Sequence, residues 1–148
     1  MTNLLKLGDI IFHKKGNAFK STDFREVGVP VVRVTDFTQD GIDSKNVVYV
    51  DNETAEENED VKLFTNDILI QTVGSWPNNP ASVVGKVVRV PKELNNSLLN
   101  QNAVIIRPKP DFDKLYIFYL LKSQLFSKFI INHAQGAANQ ASITLDSI

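Results

Sequence analysis

The sequence predicts an α+β fold: a single domain with a twisted, mostly antiparallel or mixed β-sheet and one main C-terminal amphipathic helix. A length of 148 residues suits one domain. Short β-branched runs bounded by Gly, Pro, Asn and Asp recur from Ile10 to Arg107, as expected for strands. Only the stretch from about Lys114 to Asn132 carries apolar side chains at helical spacing over several turns.

The composition is that of a soluble globular protein, with 43% hydrophobic and 22% charged residues. The absence of cysteine excludes disulfides and thiolate metal sites, and it fits a reducing cytoplasm. Neither His13 nor His133 is accompanied by carboxylates in a zinc-ligand pattern. The N-terminal residues predict no signal peptide, and no run approaches the roughly 20 apolar residues of a membrane span. We therefore expect a cytoplasmic protein that binds neither metal nor membrane.

The charges are unevenly distributed, although the net charge is only −1. The segment from Asp51 to Asp60 holds six of the 17 acidic residues and no basic residue. The rest of the chain therefore has 11 acidic residues against 16 basic ones. This pattern has two interpretations: a basic face that contacts nucleic acid opposite an acidic face, or ordinary solvated charges.

The first predicted strand, Ile10 to Phe12, leads into a loop that is rich in lysine. Lys14 and Lys15 lie in this loop, and Lys20 follows shortly after it. The three lysines either contact phosphate groups or belong to a solvated loop.

Five further apolar runs predict the remaining strands, and the acidic segment predicts a short helix capped by Asn52 or Thr54. Arg33 is expected at a strand edge or paired with a carboxylate such as Asp36. The five runs are Gly28 to Val34, Val47 to Val50, Ile68 to Val73, Val83 to Val90 and Ala103 to Arg107.

A polar insert separates the two runs that begin at Ile68 and Val83. It holds the only Trp of the chain, Trp76, together with the Asn78-Asn79 pair. Pro77 and Pro80 restrict the backbone of the insert, so we expect a stiff loop that loses little entropy on binding. The insert either presses these side chains against a partner or is a hairpin loop whose Trp fills the core.

The predicted C-terminal helix follows Asp111 or Asp113, either of which suits an N-cap. Its apolar positions fall on one face, which we expect to pack on the core. The residues after it begin another apolar-periodic element that stops at Ile148, which indicates a truncated gene. The apolar face is formed by Phe118, Leu121, Leu125 and Phe129, and the polar face by Lys122, Ser123, Ser127 and Lys128.

Motifs of catalysis are incomplete in this sequence. Asn79-Pro80 offers only the first half of an amino-methyltransferase motif, and no glycine-rich cofactor loop precedes it. The stretch from Pro110 to Lys114 resembles a nuclease motif in letters, but its acids are better explained as a helix cap. Neither a phosphate-binding lysine loop nor a Gly-x-Ser-x-Gly elbow occurs. The residues therefore favour a chain without its own catalysis.

In order and spacing, a set of short segments resembles the target-recognition domain of the DNA specificity subunit of type I restriction–modification systems. One position departs from the family pattern, because Asn66 stands where a Gly usually precedes the Asp. Asn tolerates the same left-handed backbone conformation. The segments are Leu7 to Ile10, Lys15-Gly16, Gly28 to Arg33, Asp67 to Ile70, Val73 to Ser75, Tyr116 to Phe126, Gly136 to Gln140 and Ile143-Thr144.

The resemblance implies a non-catalytic module that reads one half of a bipartite DNA target. The family's subunits resemble two such domains joined by long helices. Residues 1–148 are therefore expected to form one recognition domain, with the spacer helix missing after Ile148. The implied partners are double-stranded DNA, modification subunits, a restriction subunit and a second copy of the chain. S-adenosylmethionine, ATP and Mg would belong to the partner subunits, so we expect no cofactor here.

The candidate DNA-binding residues divide by chemistry. Lysines suit phosphate groups, whereas amides pair with base edges, adenine in particular. The alternatives to a DNA reader are an assembly module that has lost DNA binding and a small DNA-modifying enzyme. The phosphate candidates are Lys14, Lys15, Lys20 and Lys86, and the base or groove candidates are Ser75, Trp76, Asn78, Asn79, Asn139 and Gln140.

Overall fold

A computed structural model of the chain describes residues 10–39, 41–74, 85–123 and 141–142. The elements within these ranges are short strands, two α-helices and single 3-10 turns. The strands are β1 (Ile11–Lys15), β2 (Val29–Val32), β3 (Val48–Val50), β4 (Ile68–Gln71), β5 (Val73–Gly74), β6 (Val87–Arg89), β7 (Leu98–Leu99), β8 (Ala103–Pro108) and β9 (Ala141–Ser142). The helices are α1 (Asn52–Glu57) and α2 (Lys114–Leu121), and the 3-10 turns are Ser21–Asp23, Val34–Asp36, Glu59–Val61 and Lys92–Leu94.

The strands form three sheets. A four-stranded antiparallel sheet has the order β1-β8-β4-β6. A three-stranded sheet has the order β3-β2-β7, in which β2 and β3 are antiparallel while β2 and β7 are parallel. The strands β5 and β9 form a separate antiparallel pair. The α+β class with antiparallel and mixed sheets is thereby confirmed.

The four-stranded sheet is the middle of three layers, and β4 runs through its centre. Leu69 faces the core shared with the three-stranded sheet, whereas Ile68 and Ile70 face the core shared with α2. All four residues of β4 are buried, which explains why this strand is an unbroken apolar run before Gln71. Burial of each large aliphatic side chain contributes roughly 1.5 to 3 kcal/mol to folding.

Helix α2 begins as predicted, at a cap formed by Asp113. The Asp113 carboxylate accepts a hydrogen bond of 2.9 Å from the backbone N–H of Tyr116. Phe118 and Leu121 are buried as predicted, beside Ile117. The helix ends at Leu121, with Lys122 as its C-cap, so the predicted helix is not continuous through residues 122–123. Residues 124–132 of the prediction lie outside the described ranges.

The outward side of α2 is itself apolar. Its exposed side chains are Leu115, Tyr116, Tyr119 and Leu120. The predicted polar face comprises Lys122 and Ser123, which follow the helix, together with Ser127 and Lys128, which lie outside the described residues. Within residues 114–121, therefore, both sides of the helix carry large apolar or aromatic side chains.

Two local predictions about the N-terminal half are wrong. Lys14 and Lys15 belong to strand β1 and not to a loop, because their backbones pair with Ile105 and Val104 of β8. The cap of α1 is Asp51, not Asn52 or Thr54. Its carboxylate accepts a hydrogen bond of 2.8 Å from the Thr54 N–H, and this bond lowers the pKa of Asp51.

Of the two alternatives expected for Arg33, the structure shows the pairing with Asp36. The Arg33 backbone N–H donates to the Asp36 carboxylate at 2.9 Å, and its Nε lies 3.8 Å from the same carboxylate oxygen. Arg33 is the N-cap of the 3-10 turn Val34–Asp36 that follows β2, and Asp36 is the last residue of that turn.

A buried carboxylate at the start of β4 joins several elements. Asp67 is only 1% exposed, and its two oxygens accept hydrogen bonds from Nε and Nη2 of Arg107 at 3.1 and 2.8 Å. The Phe64 N–H also donates to Asp67, at 2.8 Å, and the Lys114 amino group lies 3.8 Å away. Arg107 in turn donates to the carbonyl of Lys62 at 2.8 Å. Asp67 therefore ties β4 to β8, to the preceding turn and to the start of α2.

The residue before this carboxylate adopts the left-handed backbone conformation expected from the family pattern. Asn66 has φ of 72°, and its N–H donates to the carbonyl of Val90 at 2.8 Å. Asn is among the few non-glycine residues that reach this region at low cost. The substitution of Asn for the usual Gly therefore preserves the turn that delivers Asp67 to Arg107.

We expect Asp67→Ala to destabilise the protein by roughly 2 to 4 kcal/mol, because it leaves Arg107 without its carboxylate in a partly buried position. Urea unfolding would measure the change. The matched control is Asp111→Ala, which removes an exposed carboxylate and should change stability by less than about 0.5 kcal/mol. Equal unfolding midpoints for the two variants would contradict the role assigned to Asp67.

Candidate nucleic-acid interface

One end of the four-stranded sheet holds two of the four candidate lysines, Lys15 and Lys86. Lys15 at the end of β1 pairs with Val104, which pairs with Ile70, which pairs with Val87 at the start of β6. With neighbouring strands about 4.8 Å apart, this row spans roughly 14 Å from edge to edge. Lys15 is exposed, and it points to the face of the sheet that α2 covers, since it alternates in phase with Ile11.

Lys86 lies at the same end of the sheet, on the opposite edge. Its carbonyl accepts a hydrogen bond of 2.9 Å from the N–H of Gln71, the last residue of β4. The neighbouring Gly85 N–H donates to the Gln71 carbonyl at 2.7 Å. The backbone at residues 85–86 is thereby fixed against the end of β4. Lys15 and Lys86 thus lie at the two edges of one sheet end, and Lys86, in phase with Val88, is on the face opposite to Lys15.

The strand pair β5–β9 continues from the same end. Gln71 positions its start, because its side-chain amide donates to the carbonyl of Val73 at 2.9 Å. Val73 pairs with Ser142 and Gly74 with Ala141. The Gly74–Ala141 pair therefore belongs to the segment that follows Gln71 at this end of the sheet.

The base and groove candidates lie outside the described residues. They fall in residues 75–84 and 124–140, and their predicted roles stay predictions. In sequence, residues 75–84 lie between Gly74 of β5 and Gly85, and residues 124–140 immediately precede Ala141 of β9. These candidates are Ser75, Trp76, Asn78, Asn79, Asn139 and Gln140.

Lys14 and Lys20 occupy other positions. Lys14 points to the opposite face from Lys15, and its amino group lies 3.2 Å from the Asp60 carboxylate. Desolvation raises the pKa of Asp60, but hydrogen bonds from Lys14 and Asn17 and the Lys14 charge outweigh it, so this pKa is lowered overall. Lys20 is exposed and precedes the 3-10 turn Ser21–Asp23. The structure therefore does not gather all four lysines into one patch.

The structural role of Gln71 was not predicted from the sequence, although this residue fixes the backbone at this end of the sheet. It is 1% exposed and its backbone and side chain bond to Gly85, Lys86 and Val73. The available signal was an amide that closes an otherwise apolar run immediately before a polar insert. Buried amides are usually hydrogen-bonded, and such bonds fix the backbone they contact.

The described residues also bear on two other kinds of site. Within residues 10–39, 41–74, 85–123 and 141–142, no three His, Asp or Glu side chains are grouped as metal ligands. In the same ranges, no helix has the length and apolar character of a membrane span.

Comparison with known protein families identifies the class. The sequence profile of the type I restriction modification DNA specificity domain matches residues 3–148. The chain belongs to this family, which confirms the resemblance inferred from its short segments. No curated protein sequence matches the chain.

Solved structures share the fold at low sequence identity. The S subunit of a type I restriction-modification system from M. genitalium aligns with 95% of this chain at 18% identity and a TM-score of 0.60. The HsdS subunit from Thermoanaerobacter tengcongensis aligns with 79% at 15% identity and a TM-score of 0.55. A type I R-M structure concerned with complex assembly and conformational transition aligns with 97% at 14% identity and a TM-score of 0.55. The chain spans only 30%, 26% and 34% of these three solved chains, respectively.

The turn after β1 leaves no space for a side chain at Gly16. A Cβ atom there would lie 1.9 Å from the carbonyl oxygen of Asn100. We expect Gly16→Ala to displace the end of β1 and to cost about 1 to 3 kcal/mol of stability. Gly41→Ala is the control, because its Cβ would meet only the Thr38 hydroxyl at 3.5 Å. Thermal unfolding would compare the stabilities of the two variants. Equal stability of Gly16→Ala and Gly41→Ala would contradict the tight contact inferred at Gly16.

Proposed function

We propose that this domain supplies DNA target recognition to a type I restriction–modification complex and reads one half of a bipartite site. Membership of the specificity-domain family supports this function. The observation that carries it is the placement of Lys15, Lys86 and the β5–β9 pair at the same end of one sheet. Rigid scaffolds that position variable connecting segments are a common way of building recognition sites.

The candidate lysines and the candidate amides would have different roles at this end of the sheet. Lys15 and Lys86, on opposite edges of the sheet, would contact phosphate groups and set the position of the domain on the duplex. Asn78, Asn79 and Gln140 would pair with base edges, since an amide offers both a donor and an acceptor to adenine. Lys14 and Lys20 would contribute to phosphate binding from a greater distance.

The chain would have no catalysis of its own. Asp113 in the nuclease-like stretch from Pro110 to Lys114 supports this, because its carboxylate caps α2. Methyl transfer from S-adenosylmethionine and the ATP- and Mg-dependent steps would belong to partner subunits. The proposed partners are therefore double-stranded DNA, the modification subunits and the restriction subunit, in the cytoplasm.

The outward side of α2 favours a second candidate function, a protein-assembly module. Tyr116 and Tyr119 are 65% and 60% exposed, beside the exposed Leu115 and Leu120. Exposed apolar surfaces of this kind commonly mark protein interfaces. An assembly role alone would predict no DNA binding, whereas the favoured function predicts both.

DNA binding that depends on the sheet end should be sensitive to salt. We expect the chain to bind a mixed-sequence duplex at low salt, and the double variant Lys15→Ala with Lys86→Ala to bind more weakly. The slope of log K against log salt should fall in magnitude by about 0.9 for each phosphate group that the variant no longer neutralises. Fluorescence anisotropy at several salt concentrations would measure both quantities.

The matched control is Lys92→Ala with Lys109→Ala. These two lysines follow the C-terminal ends of β6 and β8, at the end of the sheet away from Lys15 and Lys86. This control should bind DNA as the unsubstituted chain does. Equal losses of affinity in both double variants would contradict the assignment of the interface to the Lys15–Lys86 end. If the unsubstituted chain retains no DNA even at low salt with a modification subunit present, the reader function fails.

The amide pair should govern sequence preference and not stability. We expect Asn78→Ala with Asn79→Ala to change the preferred target in a selection from random duplexes, because base contacts specify sequence. Its unfolding midpoint should match that of the unsubstituted chain. A large loss of stability with an unchanged preference would instead assign the loop to the core.

A further inference from the structure

A second surface lies at the other end of the four-stranded sheet and consists of alternating aromatic and cationic side chains. The Lys109 amino group lies 5.4 Å from the centre of the Phe12 ring. Phe12 is directly opposite Arg107 in the β1–β8 register. The Arg107 guanidinium lies 5.3 Å from the centre of the Phe64 ring. We call Lys109, Phe12, Arg107 and Phe64 the aromatic–cation patch.

The aromatic rings of this patch are unusually open to solvent. Phe12 is 59% exposed and Phe64 is 45% exposed, whereas Phe37 and Phe118 in the cores are 7% and 3% exposed. Leaving two phenyl rings in water forgoes a large hydrophobic gain, and clustered exposed apolar groups commonly mark an interaction site. The patch is therefore a candidate interface.

Arg107 makes the centre of the patch rigid. Its guanidinium is held by two hydrogen bonds to Asp67 and one to the carbonyl of Lys62. The side chain is still 38% exposed, so part of it remains accessible beside the Phe64 ring. A partner would lose little side-chain entropy on binding here, because the central residue is already fixed. Aromatic residues and Arg are also the types most enriched at interface hot spots.

The outward charge of the patch is positive. The carboxylate that pairs with Arg107 is the buried Asp67, so it is turned away from solvent. On the flank of the patch, Glu59 and Asp60 are already paired with Lys62 and Lys14. Among the described residues, no carboxylate lies within ion-pair distance of the Lys109 amino group. Such a surface complements a carboxylate that stands beside an apolar side chain.

The patch is separate from the proposed DNA-reading end. Strand β8 runs from Ala103, beside Gly16 and Gln71, to Pro108, beside Ile11. Five residue steps at about 3.4 Å each put these ends roughly 17 Å apart. Double-stranded DNA offers phosphates but keeps its bases stacked, so it would leave the two phenyl rings uncovered. A protein segment with acidic and apolar side chains satisfies both components of the surface.

We propose that the aromatic–cation patch docks a protein segment that carries carboxylates beside apolar side chains, and that this segment belongs to the modification subunit. The assignment of this segment to the modification subunit rests on the proposed function. The rings of Phe12 and Phe64 would be buried by the apolar side chains of the segment. Lys109 and Arg107 would receive its carboxylates.

Binding of the purified modification subunit to the full chain tests the proposal. Phe12→Ser with Phe64→Ser should weaken this binding at least tenfold in a calorimetric titration, and so should the charge reversal Lys109→Glu alone. The affinity of both variants for a mixed-sequence duplex and their unfolding midpoints should be unchanged. Val27→Ser is the matched control, because Val27 is 79% exposed and outside the patch; it should bind as the unsubstituted chain does.

Each contrary outcome has a distinct meaning. Equal binding of the modification subunit by all variants would overturn the proposal and leave the proposed function intact. Loss of DNA affinity with unchanged subunit binding would overturn it in favour of a nucleic-acid surface. If the unsubstituted chain binds DNA but no modification subunit, the docking proposal fails alone. If it binds neither, the proposed function fails as well.

Discussion

The ion pair between Asp67 and Arg107 is the interaction on which the arrangement of this domain depends. A carboxylate that is almost completely buried requires full compensation, and two guanidinium hydrogen bonds with a backbone N–H supply it. The pair joins the residue that precedes β4 to the last part of β8. Since β4 is buried between both cores, any shift of this pair would misalign both layers of packing.

The two proposed contact surfaces lie at opposite ends of the sheet that this ion pair stabilises. At one end, Arg107 is fixed by Asp67, lies against the exposed Phe64 ring and is opposite the exposed Phe12 in the β1–β8 register. At the other end, Gln71 fixes the backbone from which β5 and β6 depart. The same four strands therefore position a proposed DNA contact and a proposed protein contact without requiring the two surfaces to overlap.

The sequence predicted those parts of the domain that depend on local chemistry. The buried strand at Ile68 follows from residue types and spacing, which also offered the Asp113 cap and the Arg33–Asp36 pair as one of two alternatives each. The left-handed turn at Asn66 was expected from the family resemblance. It did not predict that Lys14 and Lys15 lie in a strand, because that strand is held by pairing with the distant β8 and not by its own apolar pattern. The Asp67–Arg107 pair and the opposite placement of Lys15 and Lys86 were likewise unpredictable, since both arise from strand order in the sheet.

The most direct test of a DNA interface at the Lys15–Lys86 end is an NMR titration of backbone amides with a mixed-sequence duplex at low salt. The largest shifts should fall on Lys15, Gly16, Gly74 and Lys86, while the amides of Phe12, Phe64 and Lys109 should be unaffected. Shifts concentrated on Phe12, Phe64 and Lys109 would contradict this location of the interface. An absence of shifts at saturating DNA would contradict DNA recognition by this domain.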